Sequence, residues 1–595
     1  MRGSAHGAGR ARAGRARTGS ARRDGTRLGL PSILTLAAAL WLGACLAQPA
    51  PPPGVTDLPA DEIRAGMTGY GLTQAPEGLV RFEVEVLGRR APGVDALPPF
   101  LVRTSGQALA AAGVAAGMSG SPIYLGPAGD ERLAGALAYA FPGSDHRLAL
   151  ATPIEAMRDL AADRGDDVPA PPGPDAAPLA TPLLLTGIGP RGLTHLAEPF
   201  RDVGLSPLPV QGGALREGDP RLADWRLAPG AAVAATLIRG DMTVAAIGTV
   251  TDVRDGTILA FGHPLLGRGG SDLALAPAHV LAWIAQRDVP YKLAEPGAEV
   301  IGRVIRDGRA GVVGRAGEVP SGLPITVRVN TPRTSRAFAV RVADDGWLAP
   351  SLLATVVETA LDLTRDRVAG GGAELAWEID VGEGAPVRVL EQVMDETDLA
   401  RSAARLAAGP LAVLLDNPFR DPRIERLSLT IEVQDRRSDA EIVEVALEEP
   451  EVAPGGTVTA FVRLQPFRGE AEVRTLRVGV PDDVQPGPLT LTFRGASVPD
   501  PERPRSEPEV DRERQATSGL PPVLSWAELI GALESRPQAR ELLAEIPGPS
   551  RPRRLARDDV GHLVRGLERV RVHVLDEATT QPPSAPPSEE GDEAP

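Results

Sequence analysis

The sequence predicts a mainly β, multidomain chain, and three observations carry that expectation. The 595 residues include 66 Gly and 59 Pro, which interrupt the chain too often for long helices and favour short strands joined by turns. Several stretches alternate apolar and polar residues at the period of a half-buried strand, RFEVEVLG (81–88) most plainly. Aromatic residues make up 3% of the chain against 43% hydrophobic, so the cores must be built from Val, Leu, Ala and Ile. The length suggests about three or four domains.

Taken in order, residues 1–45 read as a targeting segment. Eight Arg and one acid fall in residues 1–27, followed by an apolar run over 28–42. That run is short for a membrane span and suits the h-region of a signal peptide. It ends in LGAC, which reads as a bacterial lipobox with Cys45, the only cysteine of the chain, as the lipidated mature N-terminus. A plain secretory signal with an incidental cysteine is the other reading. Bacterial lipoproteins carry more than one acyl chain, which makes a firm anchor, so the expectation is an exported, membrane-anchored lipoprotein of the cell envelope, on the periplasmic side or the outer membrane. Residues 46–58 are Pro-rich and read as a tether.

Residues 59–165 form a first β-rich region, 166–181 a Pro/Ala/Asp linker, and 182–330 a second β-rich region. In the latter, Asp255-Gly256 between two alternating runs is a strong hairpin signal. Residues 331–439 mix strands with helical patterns (SLLATVVETALDLTRDRV is one), an α/β segment. A small β-sandwich-like module is expected over 440–497, a linker over 498–520, a short helical piece over 521–575 and a disordered tail over 576–595.

Composition also excludes. The formal charge of −15 and the lack of a basic stripe beyond the N-terminus argue against nucleic-acid binding. Lys292 is the only lysine, so no Walker-type phosphate loop is present and a Ser–Lys mechanism has a single candidate lysine. One cysteine permits no intramolecular disulfide or Cys-based zinc cluster, and no His-Glu-x-x-His stretch occurs. No metal or cofactor is implied.

The chemistry-bearing features are two. Gly117-Met118-Ser119-Gly120-Ser121-Pro122 has the form of a nucleophile loop. Its glycines permit unusual φ/ψ, the Ser119 hydroxyl is expected to project into a cleft, and the N–H groups of Gly117 and Ser119 would converge on an oxyanion. Loops of this form carry the nucleophile in chymotrypsin-like proteases. Taken alone, the hexapeptide is more often a Gly/Ser turn between strands than a nucleophile loop. Ser121 is a second hydroxyl, expected to line the cleft. Gly262-His263-Pro264 follows the hairpin GTVTDVRDGTILAF and places His263 at a strand end, where a general base needs rigid support. His146, in a polar turn, and His279, in an expected helix (APAHVLAWIA), are the alternative bases.

Together these motifs resemble the sporulation stage IV B (SpoIVB) peptidase family of serine peptidases. The matching stretches are AGMTGYG (65–71), RFEVEVLG, GMSGSPIY (117–124), LATPIEAM (150–157), GTVTDV (248–253), LAFGHPLLG (259–267), YKL (291–293) and VIRDGRAGVVG (304–314). They span about residues 60–315, roughly half of the chain. The resemblance implies an endopeptidase with a Ser–His centre, a protein or peptide substrate, Ser119 as nucleophile and His263 as base. The founding branch acts in regulated proteolysis during sporulation. Here the Ser half precedes the His half, the reverse of that branch, which implies a permuted chymotrypsin-like double β-barrel. Where the branch has an Asp, LVRTSG supplies Thr104. Asp95 is the nearby candidate for the orienting acid, with Asp241 and Asp272 as candidates from the His half. The alternative is a catalytically degenerate peptidase fold serving as an envelope binding or scaffold lipoprotein.

Overall fold

The computed structural model describes residues 54–89, 97–162, 176–202, 208–211, 213–382, 384–498, 523–548 and 552–576. The expected signal segment with Cys45, the candidate acid Asp95, most of the expected first linker and the acidic tail lie outside them. The fold is mainly β, with two closed six-stranded barrels followed by half-barrels.

The first barrel comprises β1 (Thr68–Ala75), β2 (Gly78–Arg89), β3 (Phe100–Ser105), β4 (Pro122–Leu125), β5 (Arg132–Ala140) and β6 (Leu148–Pro153), with α1 (Ile154–Ala161) after it. The sheet runs β4-β1-β2-β3-β6-β5 and closes through β4–β5. The alternation in β2 decides which face goes inward: Phe82, Val84 and Val86 are buried with Phe100, Val102 and Ile123, and Arg81 and Glu83 face out. Residues expected to be tether belong to the fold at their end. Leu58 is buried, and Asp57 pairs with Arg158 of α1 at 3.0 Å and with Arg254 at 2.6 Å.

Short elements β7 (Ala177–Pro178), β8 (Pro182–Thr186), α2 (Thr194–Asp202) and β9 (Leu208–Gln211) lead into the second barrel. It is formed by β10 (Ala232–Gly240), β11 (Thr243–Arg254), β12 (Thr257–Ala260), β13 (Gly269–Ile284), β15 (Gly302–Gly308) and β16 (Gly311–Ala316) and closes through β10–β11; β14 (Tyr291–Pro296) pairs with β13. Asp255 and Gly256 make the β11–β12 turn at φ 50° and 74°, the left-handed pair that a two-residue hairpin requires. His279 lies in β13. The helix expected there fails because APAHVLAWIA is the second half of a 16-residue strand that pairs in turn with β10, β15 and β14; sheet pairing overrides an ambiguous apolar run.

The same sheet continues from β10 through β18 (Ser335–Val342), β17 (Leu323–Asn330), β21 (Arg426–Gln434), β19 (Gly371–Asp380) and β20 (Val387–Asp395). Its apolar face is covered by α3 (Ala349–Arg365) and α4 (Leu399–Leu415), around Trp377. The last core joins two sheets. One is β22 (Asp439–Leu447), β24 (Thr457–Pro466), β25 (Glu472–Gly479) and β29 (Leu563–Arg565). The other is β23 (Glu451–Val452), β26 (Gly487–Gly495), β27 (Glu541–Ile546), β28 (Arg553–Asp559) and β30 (Leu567–Val574). The expected C-terminal helical piece is therefore corrected. Among the described residues of that piece only α5 (Trp526–Glu534) is helical, and the strands after it complete the sandwich begun at residue 439. LERVRVHV alternates at period 2, the strand signal that the helical reading passed over.

The barrels meet where Gly120 (φ 91°) presses on β11 and Phe261. A Cβ on Gly120 would lie 2.1 Å from the Thr249 carbonyl oxygen and 2.4 Å from the Phe261 nitrogen. Gly120→Ala is expected to lower unfolding free energy by at least about 3 kcal/mol, read from the midpoint of urea denaturation.

Candidate functional site

The hexapeptide loop runs from the end of the first barrel's 3₁₀ turn into β4 and is buried over 112–125. Backbone bonds inside it set its shape: Met118 N–H donates to the Ala115 carbonyl at 3.0 Å and Ser121 N–H to the Met118 carbonyl at 2.8 Å. Gly117 (φ 89°) and Gly120 sit where an L side chain is strained. The second barrel then holds the loop from the far side. Thr249 N–H donates to the Ser119 carbonyl at 2.8 Å and Thr249 Oγ1 to the Gly117 carbonyl at 2.9 Å, while Thr251 Oγ1 donates to the Gly120 carbonyl at 2.8 Å. Gly120 N–H donates to Leu137 O at 2.8 Å.

Two N–H groups of residues 113–121 are left over. Among the described residues, those of Gly117 and Ser119 have no acceptor, whereas the others all donate, Ala115 to the Met118 sulfur. Buried unpaired N–H groups are rare, and these are the two that the sequence assigned to an oxyanion. The hydroxyls of Ser119 and Ser121 also have no partner, and both residues are wholly buried. The expectation that Ser119 projects into a cleft and that Ser121 lines one is thereby overturned: Thr249, Thr251 and Phe261 close over the loop from the second barrel.

His263 arrives from β12 through Phe261 (φ 67°) and Gly262 (φ 68°). A left-handed Phe is a rare conformation, fixed here by Phe261 N–H on the Thr249 carbonyl (3.3 Å) and by Thr152 Oγ1 on the Gly262 carbonyl (2.6 Å). His263 Nδ1 donates to the Pro264 carbonyl at 2.7 Å, since a carbonyl only accepts. That leaves Nε2 as the lone-pair nitrogen, and Nε2 is buried with no partner. Burial holds the imidazole down to about pKa 4. Ser119 and His263 thus lie on loops in direct contact through Gly120 and Phe261, with no hydrogen bond between their side chains.

No described carboxylate orients His263. Asp241 accepts from Ala339 N–H at 2.7 Å, and Asp272 accepts from Ser321 N–H and pairs with Arg303 at 2.8 Å. Thr104 is buried and donates to the Arg147 carbonyl. His146 bonds the Arg287 carbonyl at 2.9 Å in an exposed turn.

Compared with protein-family models, curated proteins and solved structures, the chain matches none.

Two further residues stand beside the site, Asp307, to which the sequence assigned no role, and Lys292, the single candidate for a Ser–Lys mechanism. Asp307 is wholly buried and accepts from Leu265 N–H (2.8 Å), Leu266 N–H and Gly267 N–H (2.9 Å). It clamps the segment after His263, and burial pushes its carboxyl up to about 6. Lys292 is wholly buried. Its backbone N–H bonds Ala116 O (3.0 Å), its stem packs on Gly117, and its amine donates to Thr73 Oγ1 at 2.6 Å. No described carboxylate pairs with it, and burial pushes its amine down to about 7. As the single lysine open to a Ser–Lys mechanism, it makes no hydrogen bond to either serine. One signal was readable: Thr249 and Thr251 alternate within the buried, largely apolar stretch VAAIGTVT of β11, and polar groups buried there must find partners.

Because the amine titrates near 7 in the fold and near 10.5 when free, the unfolded chain binds more protons between those values. Stability therefore rises with pH across that window. Lys292→Met is expected to abolish the rise and to be more stable than the parent at about pH 7, as checked by denaturant titration at about pH 7 and about pH 10.

Proposed function

We propose that the chain is an exported serine endopeptidase of the SpoIVB type on a permuted chymotrypsin-like double barrel, anchored through Cys45 and acting on protein or peptide substrates. The observation that carries this reading is the coincidence of unsatisfied groups at one seam: Ser119 Oγ, His263 Nε2 and the N–H groups of Gly117 and Ser119. Native structures rarely leave such groups unpaired without a functional reason. In the reaction, Ser119 Oγ attacks the scissile carbonyl as its proton passes to His263 Nε2. The carbonyl oxygen, now an oxyanion, takes the two free N–H groups. The same imidazole then protonates the leaving amine, and water hydrolyses the acyl-enzyme by the reverse route. The Pro264 carbonyl fixes the tautomer that a triad acid would fix, but it stabilises the imidazolium less than a carboxylate would. Substrate must part the seam to reach Ser119.

The second reading, a degenerate peptidase fold with a binding or scaffold role in the envelope, is favoured by two observations. Ser119 is sealed at 0% exposure, and no described carboxylate stands behind His263.

A fluorescent fluorophosphonate is expected to label Ser119 in the purified chain, located by mass spectrometry. Ser119→Ala should abolish the adduct, and His263→Ala should slow its formation by at least about a hundredfold. With the imidazole held near 4, His263 stays an acceptor above that value, so the rate should show no His263 titration between about pH 5 and 8. A folded sample that is never labelled supports the scaffold reading.

A further inference from the structure

Away from the serine loop, an open cleft of about 470 Å³ lies where β10 meets β18. Three arginines line it, Arg216, Arg239 and Arg341, and no Asp or Glu does. Register makes the arrangement unusual. In the antiparallel β10–β18 pair, Arg239 stands directly opposite Arg341, and like charges directly opposed across strands are destabilising. Arg239 is half-buried, and its guanidinium has no hydrogen bond or ion pair among the described residues. Burial and the facing Arg341 both push its pKa down, and no carboxylate counters them.

Arg341 is held in place. Its Nη1 donates to the carbonyls of Ser321 (2.8 Å) and Gly322 (2.9 Å). Its stem passes so close to Gly322 that a Cβ there would lie 2.9 Å from Cγ and Cδ. One fork is thus positioned by the backbone, and the other faces the same space without a partner. In a chain whose formal charge is −15 and whose other arginines pair widely with acids, this cationic pair is left uncompensated from within.

We infer that this cleft is an oxyanion-binding site, in which the opposed guanidinium groups of Arg239 and Arg341 clamp a phosphate or carboxylate group. Paired forks are suited to such planar, multidentate recognition, and the volume is that of a small-ligand site. Two sources share this chemistry, a phosphoryl compound and the C-terminal carboxylate of a peptide. The site is independent of the serine loop and does not rest on the peptidase reading.

Isothermal titration of the purified full chain tests it with three probes: sodium phosphate, a short peptide with a free C-terminal carboxylate, and the same peptide as its C-terminal amide. Saturable binding of phosphate, of the free-acid peptide or of both is expected below roughly 10 mM, with the amide not binding. Tighter phosphate binding assigns the phosphoryl source, and tighter free-acid binding the peptide terminus. Arg239→Gln is expected to weaken binding at least about tenfold, while the control Arg336→Gln, outside the cleft, leaves it unchanged. In phosphate-free buffer Arg239→Gln should melt no lower than the parent, because one of two opposed like charges is gone. Should it fail to fold, Arg239→Lys is measured instead, with the same weakening expected from loss of the fork. No saturable binding of either acid, equal binding of the amide, or affinity unchanged in the Arg239 variant overturns the inference.

Discussion

At the seam between the barrels the backbone of Gly120 lies so close to β11 and Phe261 that no side chain fits between them. That close approach lets Thr249 and Thr251 reach the carbonyls of Gly117, Ser119 and Gly120. The N–H groups of Gly117 and Ser119 share peptide planes with the carbonyls of Ala116 and Met118, which accept from Lys292 N–H and Ser121 N–H, and both are left without an acceptor among the described residues. The same contact seats Phe261 in its left-handed conformation and brings His263 to the loop. The candidate centre therefore depends on one missing Cβ and two threonine hydroxyls.

The electrostatics of the seam follow from its dryness. Burial holds an imidazole, an amine and a carboxyl, those of His263, Lys292 and Asp307, away from their ordinary values, each toward the neutral form. That is the direction desolvation dictates when no opposite charge is at hand. Lysine differs from arginine here: an amine can shed its proton when buried, and a guanidinium cannot. In a chain whose other long basic side chains are all arginine, the one lysine is wholly buried, where its neutral form is favoured. The cleft between β10 and β18 shows the contrary case, where two guanidinium groups keep their charge and face open space.

Much of the architecture was legible in order along the chain. The alternation of RFEVEVLG, the Asp255-Gly256 turn and the helix α3 stand where pattern and turn chemistry place them, because each is decided by residues near in sequence. The reading failed where a distant partner decides. His279 lies in a strand because β14 pairs with the second half of β13, His279 opposite Glu295. The C-terminal segment became strands because β22, β23 and β26 pair with β29, β30 and β27 to close their core.

The sequence by itself determined the two motifs, the glycines that allow a tight loop, the histidine that follows a strand, and the lack of metal-ligand or phosphate-loop patterns. These are local properties, set by residue type and spacing. Tertiary structure alone decided that Ser119 and His263 share a seam, that the seam is sealed, that Asp307 clamps the segment after His263 and that Arg239 faces Arg341. Each of these is a contact between residues far apart in the chain, and barrel closure and strand register, which no short stretch encodes, set which of them meet.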